Sequence, residues 1–397
     1  MLLITSTNLA CNPRCLKELR LLIALQAKVT VLAFNLHNWT TSKEVTLNKE
    51  FTAVTFHYLE TTKKDFYNWV VSSVIEKMAG LFSKLLPQSV FWASLAVSKR
   101  SWLLLQWLKK TNCNPDFIIA HNPPAFYPAY WFANKKNIPF AIDVEDYHPG
   151  ENLPKSVKNG VTTLMKSLLP KAKYISFASP LIMNESIRLV GPAIKSSIVV
   201  NNFFSEKDFV NIPIEFYEKL QLIWFSQNID FNRGLEEMLD VLTDYEDEIA
   251  LTVIGNPKQL FCDKYLYNKK NIEIINSLPA LELIKMMNKF DVGLALEPGK
   301  DLNNDIALSN KILIYFQAGL YILASNTTAQ EKFLNNHPSH GIITSLKKHE
   351  LKKTLDFLIE KKNEIRDTKN ERFKNSSAFN WEYESMGLVK QWVTILR

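Results

Sequence analysis

The sequence is short of the residues that usually build phosphate loops and disulfide frameworks. It has 11 glycines in 397 residues, so a phosphate-binding site here cannot depend on a long glycine-rich loop. Its four cysteines, Cys11, Cys15, Cys113 and Cys262, are too few and too scattered for a disulfide framework. No His or Cys pair elsewhere completes a zinc site around Cys11 and Cys15. We therefore expect free thiols in a reducing compartment.

Further absences disfavour several classes of protein. No run of 18 apolar residues occurs, so we expect no membrane-spanning helix. The N-terminal MLLITST lacks the basic start and the small-residue cleavage site of a secretion signal, and it runs directly into a strand pattern. No G-x-G-x-x-G follows that strand, which disfavours a dehydrogenase. These absences predict a cytoplasmic protein.

Length and composition favour two folded lobes. Apolar residues make up 47% of the chain and charged residues 22%, which is typical of a soluble globular protein, and the length suits two domains. Short β-branched runs alternate with amphipathic segments, which predicts α/β architecture. We predict two Rossmann-like, doubly wound parallel-sheet lobes facing a cleft. They occupy residues 1–201 and 219–380, joined by a linker at 202–218. A C-terminal helix at 381–397 is expected to pack back toward the first lobe.

The predicted strands locate the places where ligands should bind. In the first half we predict strands at Leu2–Thr5, Lys28–Phe34, Asp116–Ala120, Phe140–Val144, Tyr174–Ala178 and Ser197–Asn201. In the second half we predict them at Leu222–Ser226, Ile249–Ile254, Asn271–Ile275, Asp291–Leu296, Tyr321–Ala324 and Gly341–Thr344. Helices between them include Pro13–Gln26, Arg233–Leu242, Leu281–Lys289 and Asn310–Ala318. Open parallel sheets bind ligands at the carboxyl ends of their strands, so the residues that follow the strands are the candidates.

One segment, 61–110, combines positive charge with aromatic residues. Its lysines and arginines outnumber its acids to give a net charge of +6, and four tryptophans are interleaved with them. This combination suits a surface that lies on anionic lipid, on the inner face of a membrane. The alternative is that the aromatic residues form the helical core of the first lobe. No nucleic-acid-binding motif accompanies the charge, so we expect no nucleic-acid partner.

In the second half, cationic residues stand where helices begin. Arg233 follows the strand ending at Ser226, and its guanidinium beside a helix N-terminus suits a diphosphate; an ordinary surface arginine is the alternative. Ser309 or Asn310 can cap the next such helix, which places Lys311 in its first turn. A lysine there opposes the helix dipole, so an anion is expected between it and the helix end.

In the first half, polar residues cluster after three strands. Arg14 lies in the first turn of a helix that Asn12 and Pro13 open. His121 and Asn122 follow the third strand. The fourth strand ends in an acidic loop, which is hard to explain by packing and contains Asp143, Glu145, Asp146, His148 and Glu151. A solvated loop is the alternative.

Four segments of the second half carry a family resemblance. FSQNIDFNRGLEE, IGNP, NSLPALELIKMMNKFDVGLALEP and NNDIALSNKILIYFQAGLYILAS together resemble the C-terminal lobe of GT-B glycosyltransferases. They resemble most the large retaining family of bacterial polysaccharide and lipid-glycan synthesis, the glycosyltransferase family 4-like enzymes. The resemblance runs from Leu222 to Thr328. It implies transfer of a hexose from a nucleotide-diphosphate-sugar to a hydroxyl of a glycan or lipid-linked acceptor, with retention and no required cofactor. Cell-envelope or surface polysaccharide synthesis is the implied setting.

The resemblance also assigns roles to individual residues. For donor binding it indicates Arg233, Lys311, Asn310, Ser309, Gln227, Gly255, Asn256, Ser277, Leu278, Glu297 and Asp305. For catalysis it indicates Glu145, where the family often has a histidine, together with Asp146 and His148. For the acceptor, the candidates are Arg14, His121, Asn122 and Glu151.

The sequence departs from the family at two positions. Ile306 and Ile314 stand where the family commonly has glutamates eight positions apart, so Glu297 or Asp305 is expected to replace one of them at the ribose or sugar. No D-x-D pair is placed to bind a metal, and we expect the fixed cations to neutralise the leaving diphosphate instead. Retention and inversion both remain open. The rival functions are a catalytically silent nucleotide-sugar-binding or scaffold protein and a nucleotide-sugar epimerase of the same fold.

Overall fold

The computed structural model describes residues 1–38, 40–210, 217–267 and 269–396. The chain forms two compact units. The first comprises Met1–Val200 and Ser385–Arg397, and the second comprises Asn201–Glu384. The predicted 202–218 linker thus belongs to the second unit, and its central residues 211–216 lie outside the described part.

The first unit is built on a parallel sheet of seven strands among its described residues. The strands are β1 Leu2–Thr5, β2 Thr30–Asn35, β3 Thr55–Glu60, β4 Ile118–His121, β5 Phe140–Val144, β6 Ile175–Phe177 and β7 Ser197–Val199. Their order in the sheet is β3-β2-β1-β4-β5-β6-β7. The strand order therefore reverses between β1 and β4, the kind of position where open α/β sheets bind ligands.

Helices flank this sheet. They are α1 Pro13–Ala24, α2 Thr41–Glu50, α3 Phe66–Leu85, α4 Val90–Val97, α5 Lys99–Lys110, α6 Pro123–Lys136, α7 Lys155–Leu168 and α8 Pro180–Val190. Helix α1 begins as predicted, since the Asn12 side chain accepts a hydrogen bond from the Cys15 amide and Pro13 occupies the first turn. Short 3₁₀ helices lie at Leu9–Cys11, Lys63–Asp65, His148–Gly150 and Leu169–Lys171.

The second unit is a parallel sheet of six strands among its described residues, in the order β10-β9-β8-β11-β12-β13. The strands are β8 Leu220–Ile229, β9 Ile249–Pro257, β10 Ile272–Ile275, β11 Val292–Ala295, β12 Tyr321–Ser325 and β13 Gly341–Thr344. Its order reverses between β8 and β11. The two parallel sheets confirm the predicted fold class.

The helices of the second unit follow the same alternation. They are α9 Glu236–Leu242, α10 Gln259–Tyr265, α11 Ala280–Met286, α12 Leu302–Ile306, α13 Asn310–Gln317, α14 Thr328–Asn335, α15 Lys348–Glu360, α16 Lys362–Asp367, α17 Lys369–Ser376 and α18 Trp381–Glu384. Short 3₁₀ helices lie at Glu206–Asp208, Thr243–Tyr245, Met287–Lys289 and Pro338–His340. The last helix, α19 Met386–Leu396, belongs to the first unit. There Trp392 Nε1 donates a hydrogen bond of 2.6 Å to the Tyr174 hydroxyl.

Gly293 in β11 allows α13 to pack closely on the sheet because it has no side chain. A Cβ atom at Gly293 in β11 would lie 2.2 Å from the ring of Tyr315, so only glycine lets α13 pack this closely on the strand. The Tyr315 hydroxyl then donates to the carbonyl of Ile223 in β8, at 3.2 Å. This packing brings the start of α13 to the carboxyl edge of the sheet, beside the β8–β11 reversal.

Some predicted boundaries were wrong. Strand β3 was missed, and the predicted helix from Arg233 begins only at Glu236, because Asn232 and Gly234 adopt positive φ angles in the preceding turn. The predicted C-terminal helix is interrupted at Ser385. None of the helices in the described ranges is both long and apolar enough to cross a bilayer.

Candidate functional site

A row of polar side chains crosses the carboxyl edge of the first sheet. The strand register pairs Thr5 of β1 with His121 of β4, His121 with Asp143 of β5, and Asp143 with Ser176 of β6. All four residues are buried. Because buried polar groups are costly unless they are paired, this row requires partners, and α1 supplies two of them.

Arg14 of α1 pairs with Asp143. Its Nε lies 2.8 Å from both carboxylate oxygens, and its Nη1 donates to the carbonyl of Val200. Ser176 donates a short hydrogen bond to the same carboxylate. Burial alone would raise the pKa of Asp143, but Arg14, His121 and Ser176 lower it to about 2. Asp143 is therefore an anion at every physiological pH.

His121 lies between carboxylates. Its Nε2 is 3.1 Å from a Glu18 oxygen, and its Nδ1 is 3.4 Å from Asp143 Oδ2 and 3.6 Å from Glu145 Oε1. Burial lowers the pKa of His121, but contacts with Cys15, Glu18 and Asp143 outweigh it and hold that pKa well above its usual value. The imidazole is thus favoured in its charged form. We call Arg14, Glu18, His121, Asp143 and Glu145 the charge cluster.

Part of the charge cluster also has the composition of a metal site. His121, Asp143 and Glu145 each offer one ligand atom, and these atoms lie within 4.8 Å of one another. Histidine and carboxylate ligands suit zinc and related divalent ions. Arg14, however, already neutralises Asp143 at 2.8 Å, so these residues fit an ion less well than a set of carboxylates without a cationic partner.

Glu145 is the member of the charge cluster that reaches the surface. Its side chain is 24% exposed, whereas those of Arg14, Glu18, His121 and Asp143 are at most 2% exposed. Arg14 and His121, which were predicted to contact an acceptor, are both buried in this structure. Both lie against Asp143, and Glu145 is the one member of the charge cluster with an appreciably exposed side chain.

The remaining predicted residues of the first unit lie close to this edge. The Asn122 side chain accepts a hydrogen bond from Thr5, at 3.0 Å, and its φ of 68° is a strained backbone for a non-glycine residue. Further along the acidic loop, His148 Nδ1 is 2.6 Å from Glu151. Burial lowers the pKa of His148, but the Glu151 carboxylate more than offsets this and raises it. Asp146, in the same loop, is half-buried.

In the second unit, Arg233 is an exposed cation with no hydrogen bond or ion pair to any described residue. It follows β8 in a tight turn where Asn232 has a φ of 60° and Gly234 a φ of 75°. A Cβ at Gly234 would lie 3.1 Å from the Leu296 carbonyl oxygen. The turn is therefore packed against the chain that leaves β11, which places Arg233 at the β8–β11 reversal.

Lys311 lies on the other side of that reversal. Its Nζ forms an ion pair of 2.6 Å with Glu297, which follows β11, and both side chains are largely buried. Lys311 therefore already has an anionic partner within the chain itself. Beside it, the hydroxyl oxygen of Ser309 is buried without a hydrogen-bond partner among the described residues, and the Ser309 side chain does not cap α13.

Glu297 is held by further contacts that the sequence did not indicate. Its backbone amide donates to Ser325 Oγ, which donates in turn to the Glu297 carbonyl. Gln330 donates to Ser325, and Asn304 donates to the Glu297 carboxylate at 3.3 Å. The Lys311–Glu297 pair is thus rigidly placed at the end of β11.

The other acidic candidate, Asp305, is bonded to the start of α14, and the two isoleucines are buried. Both oxygens of Asp305 accept hydrogen bonds from Thr328, at 2.9 Å from the amide and 2.7 Å from the hydroxyl, at the start of α14. Ile306 and Ile314 are 4% and 2% exposed. Glu297 and Asp305 were the two carboxylates expected to replace a glutamate of the family. Of these two, Glu297 is the one that lies beside Lys311.

The remaining donor-site candidates lie at the same carboxyl edge. Asn256, at the end of β9, donates to the Gln227 carbonyl in β8 at 2.8 Å, and Asn310 accepts from Asn202 at 2.9 Å. Ser277 and Leu278 follow β10. Gly255 lets β9 approach β8, since a Cβ there would lie 2.4 Å from the Ser226 carbonyl oxygen.

Comparison with known proteins identifies the fold. No protein-family model and no curated protein sequence matches this chain. Among solved structures, Anabaena HepE in complex with UDP and glucose has a TM-score of 0.70 at 11% identity, covering 99% of each chain. A mutant of S. aureus TarM in complex with fondaparinux, alpha-GlcNAc-glycerol and UDP has a TM-score of 0.65 at 8% identity, again over 99% of each chain.

A third solved structure agrees with these two. The UDP-forming α,α-trehalose-phosphate synthase of Burkholderia vietnamiensis has a TM-score of 0.60 at 10% identity, covering 98% of this chain and 96% of that one. These likenesses extend over nearly the whole chain. The protein therefore has the GT-B glycosyltransferase fold, as the sequence motifs predicted.

Proposed function

We propose that this chain is a glycosyltransferase that moves a hexose from a nucleotide-diphosphate-sugar to a hydroxyl of a glycan or lipid-linked acceptor, in cell-envelope or surface polysaccharide synthesis. One observation carries the proposal. The exposed cation Arg233 and the Lys311–Glu297 ion pair flank the strand reversal of the second sheet beside the start of α13. Solved structures of similar fold that contain UDP or UDP-glucose support a nucleotide-sugar as the ligand.

The donor diphosphate would lie between Arg233 and the start of α13. Arg233 would form charge-assisted hydrogen bonds to it, and the amides at the helix start, with the unpartnered Ser309 hydroxyl, would bind a phosphate oxygen. When the glycosidic bond breaks, negative charge grows on the departing diphosphate, and the Arg233 guanidinium together with the amides at the start of α13 would stabilise it. This is why we propose that no metal or cofactor is required.

Glu297 gives the donor site its second function. The Glu297 carboxylate holds the Lys311 ammonium group at 2.6 Å. Its oxygens can still accept further hydrogen bonds from a ligand. We assign it to the hydroxyls of the sugar or the ribose, the role that Ile306 and Ile314 cannot perform.

The acceptor would bind to the first unit, at Glu145, Asp146 and the His148–Glu151 pair. We propose that transfer proceeds with retention, in which the departing phosphate oxygen takes the acceptor's proton and the carboxylates orient the acceptor. His121, whose Nδ1 lies 3.6 Å from Glu145 Oε1, would orient that carboxylate. In an inverting reaction, Glu145 or Asp146 would instead act as the general base.

Donor binding and turnover test the proposal separately. Full-length protein is heated with UDP-, GDP-, ADP- and TDP-sugars, and a bound donor at 100 times its Kd should stabilise the fold by about 2.7 kcal/mol. The donor that binds is then incubated with oligosaccharide or lipid-linked acceptors, and the product linkage is determined by NMR. No stabilisation by any donor would refute the donor site.

The rival functions give different results in the same assays. A silent binding protein, the rival that buried Ile306 and Ile314 favour, would be stabilised by a donor without turning it over. An epimerase would convert the donor alone into its epimer without an acceptor. Transfer of the sugar to an acceptor excludes the silent protein, and an unchanged donor in the absence of acceptor excludes the epimerase.

A further inference from the structure

Helix α3 exposes a row of large apolar side chains, although others, such as Ile75 and Phe82, pack toward the core of the first unit. Its buried residues are the small Ser72 and Ala79, and Ala79 packs in a cluster with Leu95 and Leu105. The opposite side carries Tyr67, Val74, Met78, Leu81 and Leu85, which are 75%, 50%, 46%, 63% and 74% exposed. A surface helix of a globular protein normally turns its large apolar residues toward the core and its polar residues toward solvent.

These five residues form one continuous stripe, which we call the α3 face. At about 100° per residue, they fall within roughly 40° of Val74 around the helix axis. Helix α3 has 20 residues, so the stripe extends along nearly its whole length. Contiguous exposed apolar surface of this kind marks a binding surface.

The charged residues beside the α3 face are mainly basic. Lys77 and Lys84 lie along one flank of the stripe, and Lys63 and Lys64 precede the helix. Of the nearby acids, Asp65 caps the helix by accepting from the Asn68 amide, and Glu76 accepts from the Lys99 amide. Both carboxylates are thus already engaged with the fold.

A groove beside the end of α3 extends this positive surface. It has a volume of about 820 Å³ and lies among α3, α4 and α7, with Lys84, Lys155 and Lys166 in its lining. The rest of its described lining is neutral and includes serines, threonines and Asn159, with no carboxylate. Such a groove suits a phosphate group.

We infer that the α3 face lies on an anionic phospholipid bilayer, with a lipid phosphate in the lysine groove. An apolar stripe flanked by lysines is the arrangement of helices that lie in the plane of the membrane surface, because the apolar side chains enter the acyl boundary while the ammonium groups stay at the phosphates. The exposed apolar side chains and the lysines beside them both match that partner. The tryptophans Trp92 and Trp102 take no part, since they pack on the core of the first unit.

Liposome flotation of the full-length protein tests this inference, and it does not depend on any transferase activity. Vesicles of phosphatidylglycerol and phosphatidylcholine are compared with pure phosphatidylcholine at low and high salt. We expect flotation with the anionic vesicles only, weakened by salt. Each lysine near the surface contributes about 1 kcal/mol, so K84Q should lower the partition coefficient about fivefold.

The apolar contribution is tested with a double variant and a matched control. L81E together with L85E should lower the partition coefficient by more than about tenfold, because two large side chains no longer enter the bilayer. L260E, at a leucine of the second unit that is 78% exposed, should float like the wild-type protein. Circular dichroism checks that all variants fold.

Three results would overturn the inference. One is equal flotation with neutral and anionic vesicles, and another is normal flotation of the L81E/L85E variant. The third is a dimer in sedimentation experiments that the same double variant dissociates, because the α3 face would then be an interface between two copies of the chain.

Discussion

Removal of the Arg233 side chain should separate donor binding from stability. Arg233 is exposed and forms no hydrogen bond or ion pair with the described residues, so R233A should change the free energy of unfolding by less than about 0.5 kcal/mol. A hydrogen bond to a charged group contributes about 1.5–3 kcal/mol. At 1.4 kcal/mol for each factor of ten, donor Kd should rise about 10- to 150-fold.

The assay is isothermal titration of the nucleoside diphosphate, with urea denaturation on the same samples. The matched control is K270A, which removes an exposed cation at the opposite edge of the same sheet, before β10. K311A is a useful contrast: it leaves Glu297 largely buried without its partner, so both binding and stability should fall. If R233A binds the diphosphate as tightly as K270A does, the proposed phosphate site is wrong.

Three further predictions concern the charge cluster. R14M leaves Asp143 buried without its cation and should lower the free energy of unfolding, measured by urea denaturation, by roughly 3–5 kcal/mol. R20M, at an exposed ion pair with Glu50, should lower it by less than about 1 kcal/mol. Equal losses in the two variants would contradict the proposed importance of the Arg14–Asp143 pair. The Asp143 pKa of about 2 lies below its unfolded value. The contribution of Asp143 to the free energy of unfolding should therefore be fully present above about pH 4, and roughly 2 kcal/mol should be lost as the pH drops through 2. D143N should lack this part of the pH dependence if the assignment is right. EDTA should leave sugar transfer unchanged; loss of transfer that Mn²⁺ or Zn²⁺ restores would instead assign an ion to His121, Asp143 and Glu145.

The strands that bear the candidate residues could be predicted, but the contacts between them could not. Continuous apolar runs located the buried strands, and the rule that ligands bind at carboxyl ends selected Arg233 and Lys311. Strand β3 was missed because TFHYLE is an edge strand of partly exposed residues without such a run. Strand β3 forms because it pairs with β2 in the sheet, and the hydrophobic pattern of its own residues does not reveal it.

Long-range pairing is the main part that sequence reasoning could not supply. Glu18 and His121 are 103 positions apart, and only the packing of α1 against the strand ends brings them together. The burial of Arg14 and its ion pair with Asp143 follow from the same packing, and neither could be inferred from the sequence. For Lys311, the helix dipole did indicate a nearby anion, but not that Glu297 would supply it.

The absence of a side chain at Gly293 makes the proposed donor site sensitive to a change at a residue outside it. A single methyl group there would overlap the Tyr315 ring, and the ring could give way only if α13 moved off the sheet. Lys311 and the amides at the helix start would be displaced with it. A variant such as G293A would therefore impair phosphate recognition although it neither removes a charge nor lies in the site, and random mutagenesis for loss of activity should find this position repeatedly.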